Sequence, residues 1–231
     1  VNTFKAHPKF TYLWFETMNE PGSKPLDDID AMNRDFLAAI RNAGARDNIF
    51  VPPGNNWSQE GTQFTTANVA ASQSYILTKG KPFVDWNEQQ WGNRNIVFSP
   101  HFYRIWIHGD TKMATFIDDC YGKGLALIVG EYGVETPGGS TVEATKSLVR
   151  VGYPRRIGRS VWHWTGGDAN DLTTSNTGRS INKTDGSKPT NLTWLGGVVW
   201  DDNHSSEAVN ITWDLRTPEQ NRTSSTMTAG G

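Results

Sequence analysis

The chain has 231 residues, 22 Lys+Arg against 24 Asp+Glu, one cysteine and ten tryptophans. That is ample material for one hydrophobic core. A net charge of −2 gives no electrostatic case for nucleic acid, and no cationic block suggests an anionic membrane. Hydrophobic residues, 36% of the total, are scattered, and no run approaches the roughly 18 apolar residues of a membrane span. The lone Cys120 excludes an intrachain disulfide framework and any cysteine-based zinc cluster. The first seven residues lack the apolar stretch of a secretory leader.

Phe10–Phe15 is a β-branched and aromatic run ended by Asn19-Glu20-Pro21-Gly22, which predicts a buried strand stopped by a turn. A helix is expected from about Pro25 to Ala43. Ile29, Met32, Phe36 and Ile40 form its apolar stripe, acidic residues fill its first turn, and Gly44 stops it. Asn48–Val51 predicts a short strand, broken by Pro52-Pro53-Gly54. Residues 55–93 are polar and Trp-bearing, with a weak helical stretch near Asn68–Ile76. Asn95–Phe98 predicts a third strand running into Pro100-His101-Phe102-Tyr103, and Lys112–Tyr121 a helix. Leu125–Val129 is the cleanest apolar strand and closes on Gly130-Glu131-Tyr132-Gly133. A helix over about Ser140–Val151 and a strand over Arg159–Trp164 follow. A Gly/Asp/Asn/Thr-rich loop then leads to a last amphipathic piece near Leu192–Asp201 and an irregular tail beyond His204. Strand and helix alternate five times with continuous apolar strands, which is the pattern of an α/β fold with parallel pairing and outer helices.

The unusual residues gather at the C-terminal ends of these strands, where parallel α/β sheets and barrels carry their sites. Glu20 follows the first strand, Asn55 and Trp57 the second, His101 and Tyr103 the third, Glu131 the fourth, and Trp164 ends the fifth. Two carboxylates facing each other across a cleft are the equipment of glycoside hydrolysis, one held protonated as general acid and the other an anion. The tryptophan count fits a sugar site. A buried aromatic ring removes about 150–250 Å² from water, and ten are hard to place in one core. Rings in a cleft suit the C–H faces of sugars; Trp57, Trp91 and Trp106 fall in loops on that side. The Asp168-Ala-Asn-Asp171 cluster lacks the spacing of an EF-hand and reads as turn chemistry. Asn-X-Ser/Thr triplets begin at Asn56, Asn182, Asn191, Asn203, Asn210 and Asn221, a pattern that chance readily supplies in so Asn-, Ser- and Thr-rich a chain.

Asn19-Glu20-Pro21, His101-Phe102-Tyr103, Gly130-Glu131-Tyr132-Gly133 and Trp162-His163-Trp164, in this order and each at a strand end, resemble glycoside hydrolase family 5. That family includes endo-β-1,4-glucanases and β-mannanases of the retaining (β/α)₈ clan. Phe4–Phe10 is similar to the segment leading into that family's fourth strand. The resemblance implies Glu20 as acid/base and Glu131 as nucleophile. It further implies Asn19 on a sugar 2-OH, His101 holding sugar or acid, Tyr103 donating to Glu131, and Trp164 as the stacking floor. It implies no metal and no cofactor, a β-1,4-linked polysaccharide or oligosaccharide as partner, and secretion.

Eight strands and about 250 residues make such a barrel; five βα units are legible here, and by the resemblance they are the fourth to eighth. The expectation is the C-terminal five βα units of a TIM barrel, with residues 1–204 as a catalytic domain incomplete at its N-terminus and 205–231 as a tail. Its open edges at Phe10–Phe15 and Ser160–Trp164 would need a second copy or the missing N-terminal half to cover them. The function expected is that of a retaining endo-β-1,4-glycanase, with a non-catalytic or vestigial sugar-binding protein as the alternative.

Overall fold

The computed structural model describes residues 1–174, 181–183 and 185–204; the tail expected over 205–231 lies outside them. The backbone follows a parallel β-α course. Strand β1 (Trp14–Glu16) pairs in parallel with β2 (Ile49–Val51), Trp14 opposite Ile49 and Glu16 opposite Val51. Between them runs helix α1 (Leu26–Asn42), preceded by Pro25 and carrying Asp27 and Asp28 in its first turn. Phe50 and Pro53 continue the parallel order through bridges to Ile96 and Ser99, and Phe98 bridges in turn to Leu127. Beyond these, β3 (His101–Phe102) pairs with β4 (Ile128–Tyr132), and β4 with β7 (Gly158–Val161), all in parallel. Helices α2 (Tyr75–Trp91), α3 (Asp110–Gly122) and α4 (Val142–Gly152) make the crossovers. A small antiparallel hairpin, β5 (Glu135–Thr136) and β6 (Gly139–Ser140), rises directly after β4, and α5 (Trp194–His204) ends the described chain.

The elements sit close to the sequence expectation, and three differences lie before residue 92. Phe10–Tyr12 forms a 3-10 turn, so the first strand begins only at Trp14. The buried stripe of α1 is Ile29, Asn33, Leu37 and Arg41, with Met32, Phe36 and Ile40 half-buried at its flank. Two polar members fit because the segments on either side of β2 supply acceptors. The Asn33 amide donates to the Pro53 carbonyl at 3.2 Å, and the Arg41 guanidinium to the Ala45 and Asn48 carbonyls at 2.7 Å each. The third difference is α2, a full 17-residue helix where only a weak stretch near 68–76 was expected. Gly80 and Pro82 lie inside it, and Gly80 sits where a Cβ would come within 2.8 Å of the Leu125 side chain. The glycine lets the helix approach the strand layer closely.

The core lies between the strands and the helices. Phe83 and Phe98 meet edge-to-face at 6.3 Å, and Trp106 stacks between Phe102 at 4.5 Å and Phe116 at 5.0 Å. This layer fixes the C-terminal strand ends, from which the site is built.

Candidate active site

Glu20, His101 and Glu131 converge at those ends, each offering one side-chain oxygen or nitrogen so that the three atoms lie within 4.8 Å of one another. Strand register explains part of this: His101 is the direct partner of Glu131 across the β3–β4 pair. Gly130 explains more. A Cβ there would collide with the Ser99 hydroxyl and come within 3.1 Å of the His101 ring, so only glycine lets the neighbouring strand approach so closely. The His101 ring, only 1% exposed, lies with Nδ1 2.8 Å from one Glu20 oxygen and 3.7 Å from Glu131.

The two carboxylates have different surroundings. Glu131 is the deeper, its side chain 14% exposed against 30% for Glu20. Its carboxylate accepts a hydrogen bond from the Tyr103 hydroxyl at 3.1 Å. Burial pushes the Glu131 carboxyl above the ordinary carboxylate range, and the Glu20 charge adds to this; His101, the Tyr103 hydroxyl and Asn19 favour its anion in opposition. The Tyr103 phenol is pushed far up by burial and then by Glu131, so it stays a donor.

A cleft of about 1150 Å³ opens over these groups. One wall comes from the loop after β2, carrying Trp57 and Phe64; the other comes from Arg104 and the β5–β6 hairpin, which no sequence signal announced. Of the residues singled out from sequence, Asn19, Glu20, Tyr103, Glu131 and Trp57 line this cleft, and His101 lies beneath it.

The last strand differs from the expectation. The ring on the cleft wall is Trp162, while Trp164 does not line the cleft and is 48% exposed. Strand β7 ends at Val161, not at Trp164, and the Trp162 N–H donates to the Tyr132 carbonyl at 2.8 Å, directly beside Glu131. Trp162 was legible only as part of the same motif. Two other rings leave the cleft list altogether: Trp106 is 1% exposed in the core, and Trp91 packs against Trp86 at 5.2 Å on α2.

A second group of ligand-type atoms, His163, Asp168 and Asp171, gathers beyond β7. The Asp171 carboxylate accepts from the Gly166 and Gly167 N–H groups, and the Asp168 carboxylate from the Asn170 N–H. That is turn chemistry of the kind the sequence suggested for this stretch.

The chain is similar to known proteins. Residues 3–168 match the cellulase family, glycosyl hydrolase family 5. The chain is 27% identical over 133 residues to a β-mannanase/endoglucanase A of Caldicellulosiruptor saccharolyticus, a match spanning 58% of this chain and 9% of that protein. Among solved structures, the catalytic domain of a mannanase from Streptomyces sp. SirexAA-E superposes with a TM-score of 0.64 at 19% identity, over 87% of this chain and 55% of that one. A mannohexaose complex of the Thermomonospora fusca β-mannanase does so with a TM-score of 0.58 at 20% identity, over 89% and 61%. The chain thus spans little more than half of the solved catalytic domains it resembles and a small fraction of the curated relative. These likenesses make the fold one related to the TIM barrel. With strand-end motifs, paired glutamates and a family match over most of its length, this chain belongs to glycosyl hydrolase family 5.

Proposed function

We propose that this chain carries the catalytic half of a retaining endo-β-1,4-glycanase. The observation that supports it most is that one carboxylate oxygen of Glu20 and one of Glu131 lie within 4.8 Å of each other beside His101. Retaining glycosidases keep their carboxyl groups about 5–5.5 Å apart, while inverting ones leave about 6.5–9.5 Å for a water. The roles are those the family resemblance implies, and the hydrogen bond from Tyr103 to Glu131 supports them. Glu131, deeper and held by the Tyr103 hydroxyl, attacks the anomeric carbon. Glu20, nearer solvent and on His101, gives its proton to the departing glycosidic oxygen. In the second step Glu20 takes a proton from water, the hydroxide oxygen bonds to the anomeric carbon, and the Glu131 ester breaks. Asn19 holds the sugar 2-OH, and the Trp57 and Trp162 rings hold sugar faces on the cleft walls. Trp164 stays a candidate floor only for a chain that reaches past the described cleft.

The substrate in this reading is a β-1,4-linked glucan or mannan met outside the cell. Mannohexaose in the T. fusca structure and the double name of the C. saccharolyticus relative support this class without choosing between the two sugars. The proposed fold is the C-terminal five βα units of a (β/α)₈ barrel, with residues 1–204 as the catalytic domain. Its exposed edges are then covered by a second copy or by three further βα units.

Reducing-sugar release from soluble glucan and mannan tests the reading. Glu131→Ala is expected to abolish release, and azide, a small external nucleophile, to restore chain cleavage, read as a fall in viscosity because the glycosyl azide formed has no free reducing end. Release that is indifferent to Glu131→Ala overturns the assignment. Binding without any release supports the vestigial sugar-binding alternative instead.

A further inference from the structure

The segment after β2 holds a buried acid that the chemistry above does not use. Glu60 is fully buried, yet it lies in a loop, and both of its oxygens are engaged. Oε1 accepts from the Asn55 N–H at 3.1 Å; Oε2 accepts from the Ile76 N–H at 2.8 Å and bonds the Ser74 hydroxyl. Gly54 leaves room for this carboxyl, since a Cβ there would occupy its place. Glu60 therefore ties the exit of β2 to the first turn of α2, where Ser74 is also the N-cap, accepting from the Leu77 N–H at 3.0 Å.

Between these anchors the backbone does something unusual. Asn56, Trp57 and Ser58 have φ of 51°, 54° and 56°, and Glu60 has 67°. Non-glycine residues rarely adopt the left-handed region, and a run of them persists only when surrounding bonds over-determine it. The outcome of this turn is functional in two directions. It sends Trp57 into the cleft, 48% exposed, with its ring over Gly22 in the Glu20-Pro21-Gly22 turn. It also points Ser58 back at the catalytic strand ends: the Ser58 hydroxyl donates to the Asn19 carbonyl at 3.3 Å, and the Ser58 carbonyl accepts from the His101 N–H at 2.8 Å.

We propose that Glu60 is a positioning residue of the cleft, whose buried carboxyl holds the left-handed turn that presents Trp57 to a sugar and locks Ser58 onto Asn19 and His101. The inference rests on the glycanase reading for its sugar, while its geometry can be tested without one. Asn55 helps from the side, its amide oxygen accepting from the Tyr75 N–H at 2.9 Å and its amide nitrogen donating to the Gln73 carbonyl at 3.0 Å, and the Asn56 amide donates to the Gly61 carbonyl. The Glu60 carboxyl joins the Asn55 N–H at the head of the turn to the first turn of α2.

The test has a sugar-free arm and a sugar arm. Trp57 emission is isolated as the difference between proteins with and without Trp57→Phe, and its quenching by acrylamide is measured. Glu60→Ala is expected to raise the quenching constant of Trp57 about twofold as the turn lets go, and Glu60→Gln, which keeps the length and the Oε1 acceptor, to recover most of the original value. Should Glu60→Ala not fold, Glu60→Asp takes its place, because one methylene less breaks the reach to Ser74 and Ile76. In the sugar arm, cellohexaose and mannohexaose are titrated calorimetrically. Glu60→Ala is expected to weaken binding about tenfold when Trp57 is present and less than about twofold in a Trp57→Ala background, the coupling expected of a residue that acts through another. Equal losses in both backgrounds, or unchanged Trp57 quenching in Glu60→Ala or Glu60→Asp, overturn the proposal. A wild-type protein that binds neither oligosaccharide counts against the glycanase reading, and the quenching arm then decides Glu60 by itself.

Discussion

Tyr103 is where a single atom makes the sharpest difference between the two glutamates. Its hydroxyl donates to Glu131 at 3.1 Å, while burial pushes the same carboxyl upward. As the proposed nucleophile, Glu131 must be ionised, so the donor offsets part of the desolvation that works against it; hydrogen bonds to a charged group contribute about 1.5–3 kcal/mol. Tyr103→Phe removes the donor and little else. The Glu131 carboxyl then moves further up, and the sign is fixed: activity is lost as pH falls through the carboxyl's pKa, so the acidic limb of the kcat/KM profile moves to higher pH. At the pH optimum kcat is expected to fall about 10- to 100-fold, with KM nearly unchanged, because the bond matters most as charge moves on Glu131. An acidic limb that stays in place would show that Tyr103 does not support this anion.

At the scale of elements, legibility followed locality. Glu20, His101, Tyr103 and Glu131 could be found because each sits just beyond an apolar run, and strand ends are where local pattern and site coincide. Helix α2 carries Gly80 and Pro82 in its interior, and the reason for Gly80 is its close approach to Leu125, a contact across 45 positions of chain. The local run points to Trp164 rather than Trp162, because the last ladder bond of β7 runs from the Trp162 N–H to the Tyr132 carbonyl, a partner that run does not show. Glu60 left no signal: it lies in a polar stretch, and its partners Ser74 and Ile76 belong to the next helix. Yet this hidden link makes a measurable demand on the loop-to-α2 connection. Burial raises the Glu60 carboxyl from its ordinary 4.5 to about 7, against the hydrogen bonds from Ser74, Ile76 and Asn55. Its titratable neighbours Tyr75 and Cys120 are themselves pushed up by burial and stay neutral. A group whose folded pKa is raised favours the folded state while protonated, so its contribution is full below about 4.5 and is lost as pH rises through about 7. The size of that loss is on the order of 3 kcal/mol. Urea unfolding at pH 5 and pH 8 should therefore show the wild type losing more stability across this interval than Glu60→Gln does. Equal changes in the two proteins would mean that Glu60 is already ionised at pH 5.

At the scale of the whole molecule, the question is what covers the two ends of the strand array. The parallel order runs from β1 through β2 and the 96–102 segment to β4 and β7, and among the described residues β1 and β7 each pair on one side only. A closed barrel has no such edges. Around β1 the uncovered surface is apolar: Tyr12, Trp14 and Met18 are 75%, 50% and 41% exposed, and Leu13 is 36% exposed. Soluble proteins rarely leave contiguous rings and aliphatic chains beside an unpaired edge, because backbone donors and apolar area together template association. A net charge of only −2 supplies little repulsion against it. The chain is therefore expected to sediment at micromolar concentration as a dimer or larger species, with a weight-average mass that rises with concentration. Since the attraction is apolar, added salt should leave it in place, unlike an ion-paired contact. Trp14→Lys puts a charge at the centre of the edge, the device natural edge strands use, and should shift the distribution toward monomer without loss of helical circular dichroism. A single monomeric species at every concentration, with full secondary structure, would show that five parallel strands can stand with open edges, and the need for a covering partner would fall with that result.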